Sequence, residues 1–150
     1  MRSRFAVAAL AALLVPSLAG AQSSTPVWGP APSVLPAGAR LAVMQGDPSQ
    51  AALFTIRLEF PDGYRLAPHW HPTDESLTII SGTFLIGMGD TLDASKTMAL
   101  PTSGFAFAPA NQHHFAIAKG RTVVQINGMG PFALTYVNSK DDPRKKLSSR

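Results

Sequence analysis

Between residues 53 and 60 the chain reads LFTIRLEF, and its character switches at every step. Phe54, Ile56, Leu58 and Phe60 are apolar, while Thr55, Arg57 and Glu59 between them are polar or charged. A period of two suits a strand that packs one face on a core and turns the other to water. The Pro-Asp-Gly at 61–63 is a turn signal. Shorter β-forming runs recur at 76–80, 83–89, 97–100, 105–108, 113–118, 122–128 and 132–137, most of them parted by Gly, Pro, Asn or Asp. No apolar stripe at helical spacing lasts beyond a turn or two, and only 90–97 (DTLDASKT) offers a short helix. Many short strands with turn signals between them predict an all-β sandwich or barrel, here spanning 41–138.

The pattern changes at both ends. Residues 1–21 place Arg2 and Arg4 before an apolar run from Phe5 to Val15, and small residues at Ala19 and Ala21. That is the layout of a secretory signal peptide, and the run is too short to span a bilayer. Cleavage near Ala21 and a periplasmic or secreted protein are expected, with no stable membrane anchor, since no cysteine follows to take a lipid. Residues 22–40, rich in Pro, Ser and Gly, predict an extended arm whose Val27, Trp28, Val34 and Leu35 can dock on a sheet edge or across a dimer. Residues 139–150 predict a basic, flexible tail.

Charge and cysteine count then narrow the partners. Taking away Arg2 and Arg4 lowers the formal charge from +4 to +2, and much of the remainder sits in the tail. An exported chain of this balance is not expected to bind nucleic acid. It contains no Cys, so no disulfide staples it and no thiolate is on offer to a metal.

The candidate chemistry lies in GYRLAPHWHPTDESLTIISG, residues 63–82. On a strand, His69 and His71 project to one side and Trp70 to the other. By itself an HxH pair is more often two ordinary histidines than a metal site. The spacing around it is more specific: Gly63, five residues, His69, one residue, His71, three residues, Glu75, six residues, Gly82. This resembles the first signature motif of the cupin superfamily in full. The second motif follows in altered form from Gly104, with Pro109, Asn111 where glycine is usual, and His114. Its first gap is one residue short and its closing Asn is Ala118. Asn is the non-glycine residue that best tolerates positive φ, so Asn111 suits the turn.

The resemblance covers about 41–137 and implies a double-stranded β-helix, or jelly-roll, barrel with the arm at its N-terminus. It also implies one divalent metal ion held by His69, His71, Glu75 and His114. Nitrogen and oxygen donors without thiolate suit Fe, Mn, Ni, Co or Zn. His113 faces away from His114 on a strand and reads as a rim residue, Trp70 as packing or subunit contact, and Asp74 as a turn residue. Phe84, Ile86 and Met88 read as an apolar wall near the ion, which favours a small organic ligand. Gln125 and Asn127 share a face of one strand, and the alternation leaves open whether that face lines the pocket or meets solvent. Nothing fixes the direction of Tyr64 and Tyr136, and no catalytic acid or base stands out.

The resemblance therefore implies a metal-dependent dioxygenase or related oxidoreductase, working as a homodimer. The alternative is a non-catalytic periplasmic binding or sensing module. Decarboxylase or sugar-isomerase readings are weaker: the chain has only Glu59 and Glu75 to supply a mobile glutamate, and Arg57 and Arg65 make no phosphate pocket.

Overall fold

The computed structural model describes residues 25–147, so the leader read at 1–21 lies outside it. Nine strands follow in order: β1 Gly29–Pro30, β2 Arg40–Gln45, β3 Leu53–Phe60, β4 Arg65–Trp70, β5 Glu75–Met88, β6 Thr97–Pro101, β7 Phe105–Ala108, β8 His114–Met129 and β9 Thr135–Tyr136. Every pairing is antiparallel. The result is one curled sheet, a jelly-roll barrel. No helix among the described residues is long and apolar enough to cross a membrane.

Two long strands produce the curl. The N-terminal part of β5 lies between β7 and the C-terminal part of β8, and its C-terminal part lies between β6 and the start of β8. The sequence pattern divides each of these strands in two, at 80–83 and 118–122, yet the chain runs through both gaps. Gly82 (φ 79°) and Gly120 (φ 73°) adopt a left-handed backbone that bends a strand without ending it. The β5–β8 register shifts on either side of Ser81. A Cβ on Gly82 would stand 2.5 Å from the Arg121 carbonyl oxygen.

The interior holds the expected face of β3. Phe54, Ile56, Leu58 and Phe60 are all buried, and Phe60 stacks on Tyr64 at 4.8 Å and on Phe84 at 5.5 Å. Each such side chain contributes roughly 1.5–3 kcal/mol through burial. One sequence expectation needs revision: the run 132–137 yields only the two-residue β9. The short helix expected within 90–97 is a 3-10 turn at Ala94–Lys96. The segment read as a tail carries a 3-10 turn at Ser139–Asp141, then a short helix α1, Pro143–Leu147. Buried Asp142 anchors that segment by accepting from the Arg144 guanidinium at 2.7 and 2.9 Å.

The arm packs against the barrel. β1 pairs with β2, Val34 and Leu35 are buried, and the Arg40 guanidinium lies 5.8 Å from the Trp28 ring. The two tyrosines of undecided direction hold the arm: Tyr64 donates to the Pro36 carbonyl at 2.5 Å and Tyr136 to the Val34 carbonyl at 2.9 Å. Burial pushes both phenols up, Tyr136 to about 12, so neither is set up as an acid.

Candidate metal centre

His69 lies near the end of β4, His71 just beyond it, Glu75 opens β5 and His114 opens β8. All four are buried, at 2–6% exposure. Two loops hold them together. The Asn111 amide donates to the His71 carbonyl at 2.8 Å, and the Ala110 amide to Asp74 Oδ1 at 2.8 Å. These bonds tie the 71–74 turn to the 109–112 turn, so Asp74 is a clip as well as a turn residue. Asn111 has φ 62°, the left-handed conformation expected of it.

The three imidazoles converge. One ring nitrogen from each lies within 4.8 Å of the others, and the ring centroids are 4.3 to 5.2 Å apart. Every Nδ1 faces a backbone carbonyl: His69 on Ala67 at 2.7 Å, His71 on Ala133 at 2.8 Å and His114 on Gln112 at 2.9 Å. A carbonyl only accepts, so each Nδ1 carries a proton, and in the neutral ring each Nε2 keeps a bare lone pair. Burial lowers all three histidines, and His69 is lowered further by its two neighbours, falling well below 6.5. At neutral pH they are neutral, the form that ligates metal.

Glu75 is the only carboxylate lining this cavity among the described residues. Burial pushes it up to about 7, partly countered by His114. Its Oε1 lies 3.5 Å from His71 Nδ1. It does not come within the 4.8 Å spacing of all three imidazoles, so the tight group is three histidines with a carboxyl beside them. This donor set fits a divalent transition metal: three oriented imidazole nitrogens, one adjacent carboxyl and no thiolate.

The remaining candidate residues separate. Phe84 is buried and lines the cavity, which encloses about 30 Å³ with Leu35, Leu66, Phe132 and Leu134 among its walls. Met88 is 55% exposed and stands outside, in a groove of about 380 Å³ that also reaches His114. Gln125 and Asn127 turn away from the cavity. Val124 and Ile126 take the inward places, and on the outer face Gln125 accepts from Arg57 Nε at 3.1 Å and Asn127 from Thr55 Oγ1 at 2.9 Å. His113 is turned to the rim, where its Nδ1 meets Asp90 Oδ1 at 2.6 Å. Phe132, Leu134 and the Ala133 carbonyl were not singled out from sequence, and Leu35 was read there only as an arm residue able to dock. They come from the arm and from the loop after β8, and no spacing rule links them to the histidines.

No family profile matches the sequence, and no curated protein matches it. Solved structures do. A proposed acetylacetone dioxygenase from Methylibium petroleiphilum PM1 superposes with a TM-score of 0.60 at 18% identity, over 87% of this chain and 90% of that one. An oxalate oxidase gives 0.55 at 18% identity, over 82% and 68%. An RmlC-like cupin from Shewanella frigidimarina NCIMB 400 gives 0.52 at 15% identity, over 61% and 76%.

Proposed function

Taking as premise that this chain has the fold of the cupin superfamily, we propose that it binds one divalent transition-metal ion and acts as a dioxygenase-like oxidoreductase on a small organic substrate. One observation carries this reading: three buried imidazoles, each with Nδ1 on a backbone carbonyl, bring one ring nitrogen apiece within 4.8 Å of one another. His69, His71 and His114 would hold the ion, with Glu75 as fourth donor. A bound ion of this class supplies Lewis acidity and, for a redox-active metal, access to O₂ chemistry.

The chain's own residues set the conditions. The backbone carbonyls of Ala67, Ala133 and Gln112 orient the imidazoles, and burial keeps the rings neutral. The apolar walls keep bulk water out of the cavity, whose volume leaves space for on the order of one or two waters. Glu75 can hold or release a proton near neutral pH. The same reading takes the working protein to be exported, on the strength of the leader-like 1–21, and homodimeric.

The test is metal content by plasma mass spectrometry on untagged protein purified without chelator. It is followed by O₂ uptake with 1,3-diketones and small dicarboxylates, the substrates that the neighbours' names suggest. About one metal per chain is expected, lost in His114→Ala and kept in His113→Ala. Loss in His113→Ala instead would shift the ligand assignment by one residue. Metal with binding but no product would favour the sensing module. No metal, and none taken up on incubation, would remove the proposal.

A further inference from the structure

Strands β6 and β7 both pair with β5, at 83–87 and 75–78, and neither pairs with the other. The sheet is therefore open between them, and the groove of about 380 Å³ occupies that opening. Its walls include Ile86, Met88, Met98 and Phe107, and its inner end reaches buried His114. Met88, Met98 and Phe107 are 55%, 60% and 50% exposed, a large apolar outlay for a surface. Two thioethers beside an aromatic ring form an adaptable apolar surface.

Polar groups in the lining are few. Among the described residues, the only charged or titratable side chain in the lining besides His114 is Lys96, at the rim, and none of them brings a carboxylate to the groove. Lys96 has one acidic neighbour, Asp93, at 3.5 Å, and its side chain is 78% exposed, so the ammonium is free to reach a second anion. Inside, the cavity at the histidines encloses only about 30 Å³, which is water-sized and too small for an organic molecule. Any organic substrate has to remain in the groove and present one end toward His114.

We infer that the groove between β6 and β7 is the substrate-binding subsite and that it takes a small monoanion with an apolar body. The body lies across Met88, Met98 and Phe107, the anionic group meets Lys96, and the far end approaches His114. The inference rests on the metal reading for which end reacts; occupancy of the groove can be tested without it.

The probe is 3-phenylpropionate, with neutral 3-phenylpropanamide as its partner, titrated into protein carrying [¹³C-methyl]methionine and followed by NMR. Among the described methionines, Met88 and Met98 face the groove, while Met44 and Met129 lie elsewhere and serve as internal controls. Expected are saturable shifts at Met88 and Met98 alone, with the acid about 3-fold tighter than the amide, a modest preference suited to an exposed lysine. Lys96→Ala should erase that preference without altering amide binding. Met98→Trp, at an exposed position that leaves the core untouched, should fill the groove and weaken the acid about tenfold. Shifts spread over all four methionines, or none at Met88 and Met98, would overturn the inference, and so would an acid preference that survives Lys96→Ala. The titration is run on metal-loaded and on chelator-treated protein. Shifts at Met88 and Met98 in a protein that binds no metal would end the metal reading and keep the groove; bound metal without those shifts would do the reverse.

Discussion

A carboxyl group at 4% exposure among three imidazoles opposes folding whenever it is charged and no cation is present. For Glu75 the sign is definite. The unfolded chain loses this proton near 4.5 and the folded chain near 7, so between those values the unfolded state holds fewer protons and stability falls as pH rises. The histidines work the other way: their folded values lie below 6.5, so their contribution is complete above 6.5 and is lost as pH falls. In metal-free protein, Glu75→Gln should therefore be more stable than wild type at pH 8, by on the order of 3 kcal/mol, with the gap closing toward pH 4.5. Urea unfolding at the two pH values measures this. Zinc affinity should show the converse. In wild type it should rise roughly fivefold from pH 6 to 7 as Glu75 deprotonates, and the variant's profile should be flatter. Equal stability at pH 8, or matching zinc profiles, would mean that Glu75 is not the group that titrates. The four residues concerned were legible in the sequence through their resemblance to the cupin motifs; a strand's period by itself paired only His69 with His71. Their orientation was not: the carbonyl that steers His71 belongs to Ala133, 62 residues away. The outward direction of Gln125 and Asn127 was hidden for a related reason. Period two says that they share a face, and only the pairing with Thr55 and Arg57 of β3 says which.

At the scale of elements, the barrel depends on strands that bend. Alternation predicted two strands where β5 runs and two where β8 runs, since glycine within a strand pattern looks like a break. Gly82 and Gly63 separate the two uses of a left-handed glycine. Both have positive φ, 79° and 73°, yet nothing stands within 4 Å of a Cβ on Gly63, whereas one on Gly82 would press against Arg121 and Thr122 backbone atoms and Thr122 Oγ1. Gly63→Ala should cost about 1 kcal/mol, from backbone conformation alone. Gly82→Ala adds a collision inside the β5–β8 bulge, where Thr122 is fully buried and its hydroxyl donates within reach of the Thr83 and Gly120 carbonyls. Its cost should be on the order of 3 kcal/mol, lowering the melting temperature by about 10 °C. Scanning calorimetry of the two variants decides the point, and similar melting temperatures would show that the bend tolerates a side chain. Both glycines were visible in the sequence as motif positions; that one is sterically locked and the other is not follows only from which strand crosses behind it.

For the whole molecule the question is where the barrel ends. Composition pointed to an extended arm with a few apolar residues, which described its backbone but not its destination. The destination is the histidine-lined cavity: Leu35 lines the same space as His69, His71 and His114. Val34 and Leu35 are 8% and 4% exposed, and the Val34 and Pro36 carbonyls take the hydroxyls of Tyr136 and Tyr64. Removing the arm thus exposes two apolar side chains' worth of core, about 1.5–3 kcal/mol each. It also leaves two tyrosine hydroxyls to find new partners, at ~1–3 kcal/mol each where water cannot reach them. The outer part of the arm is different. Val27 is 85% exposed, and Trp28 offers mainly its contact with Arg40, in the range of 0.5–1 kcal/mol. A chain beginning at residue 31 should accordingly unfold within about 1 kcal/mol of one beginning at residue 25, while a chain beginning at residue 39 should lose several kcal/mol and take up a hydrophobic dye in its native baseline. Denaturant midpoints for the three chains measure the difference. If the chain from 39 matched the others, the arm would be a passenger on a self-sufficient barrel. If it fails as expected, the arm is one wall of the cavity, and access to the histidines is left to the opening between β6 and β7.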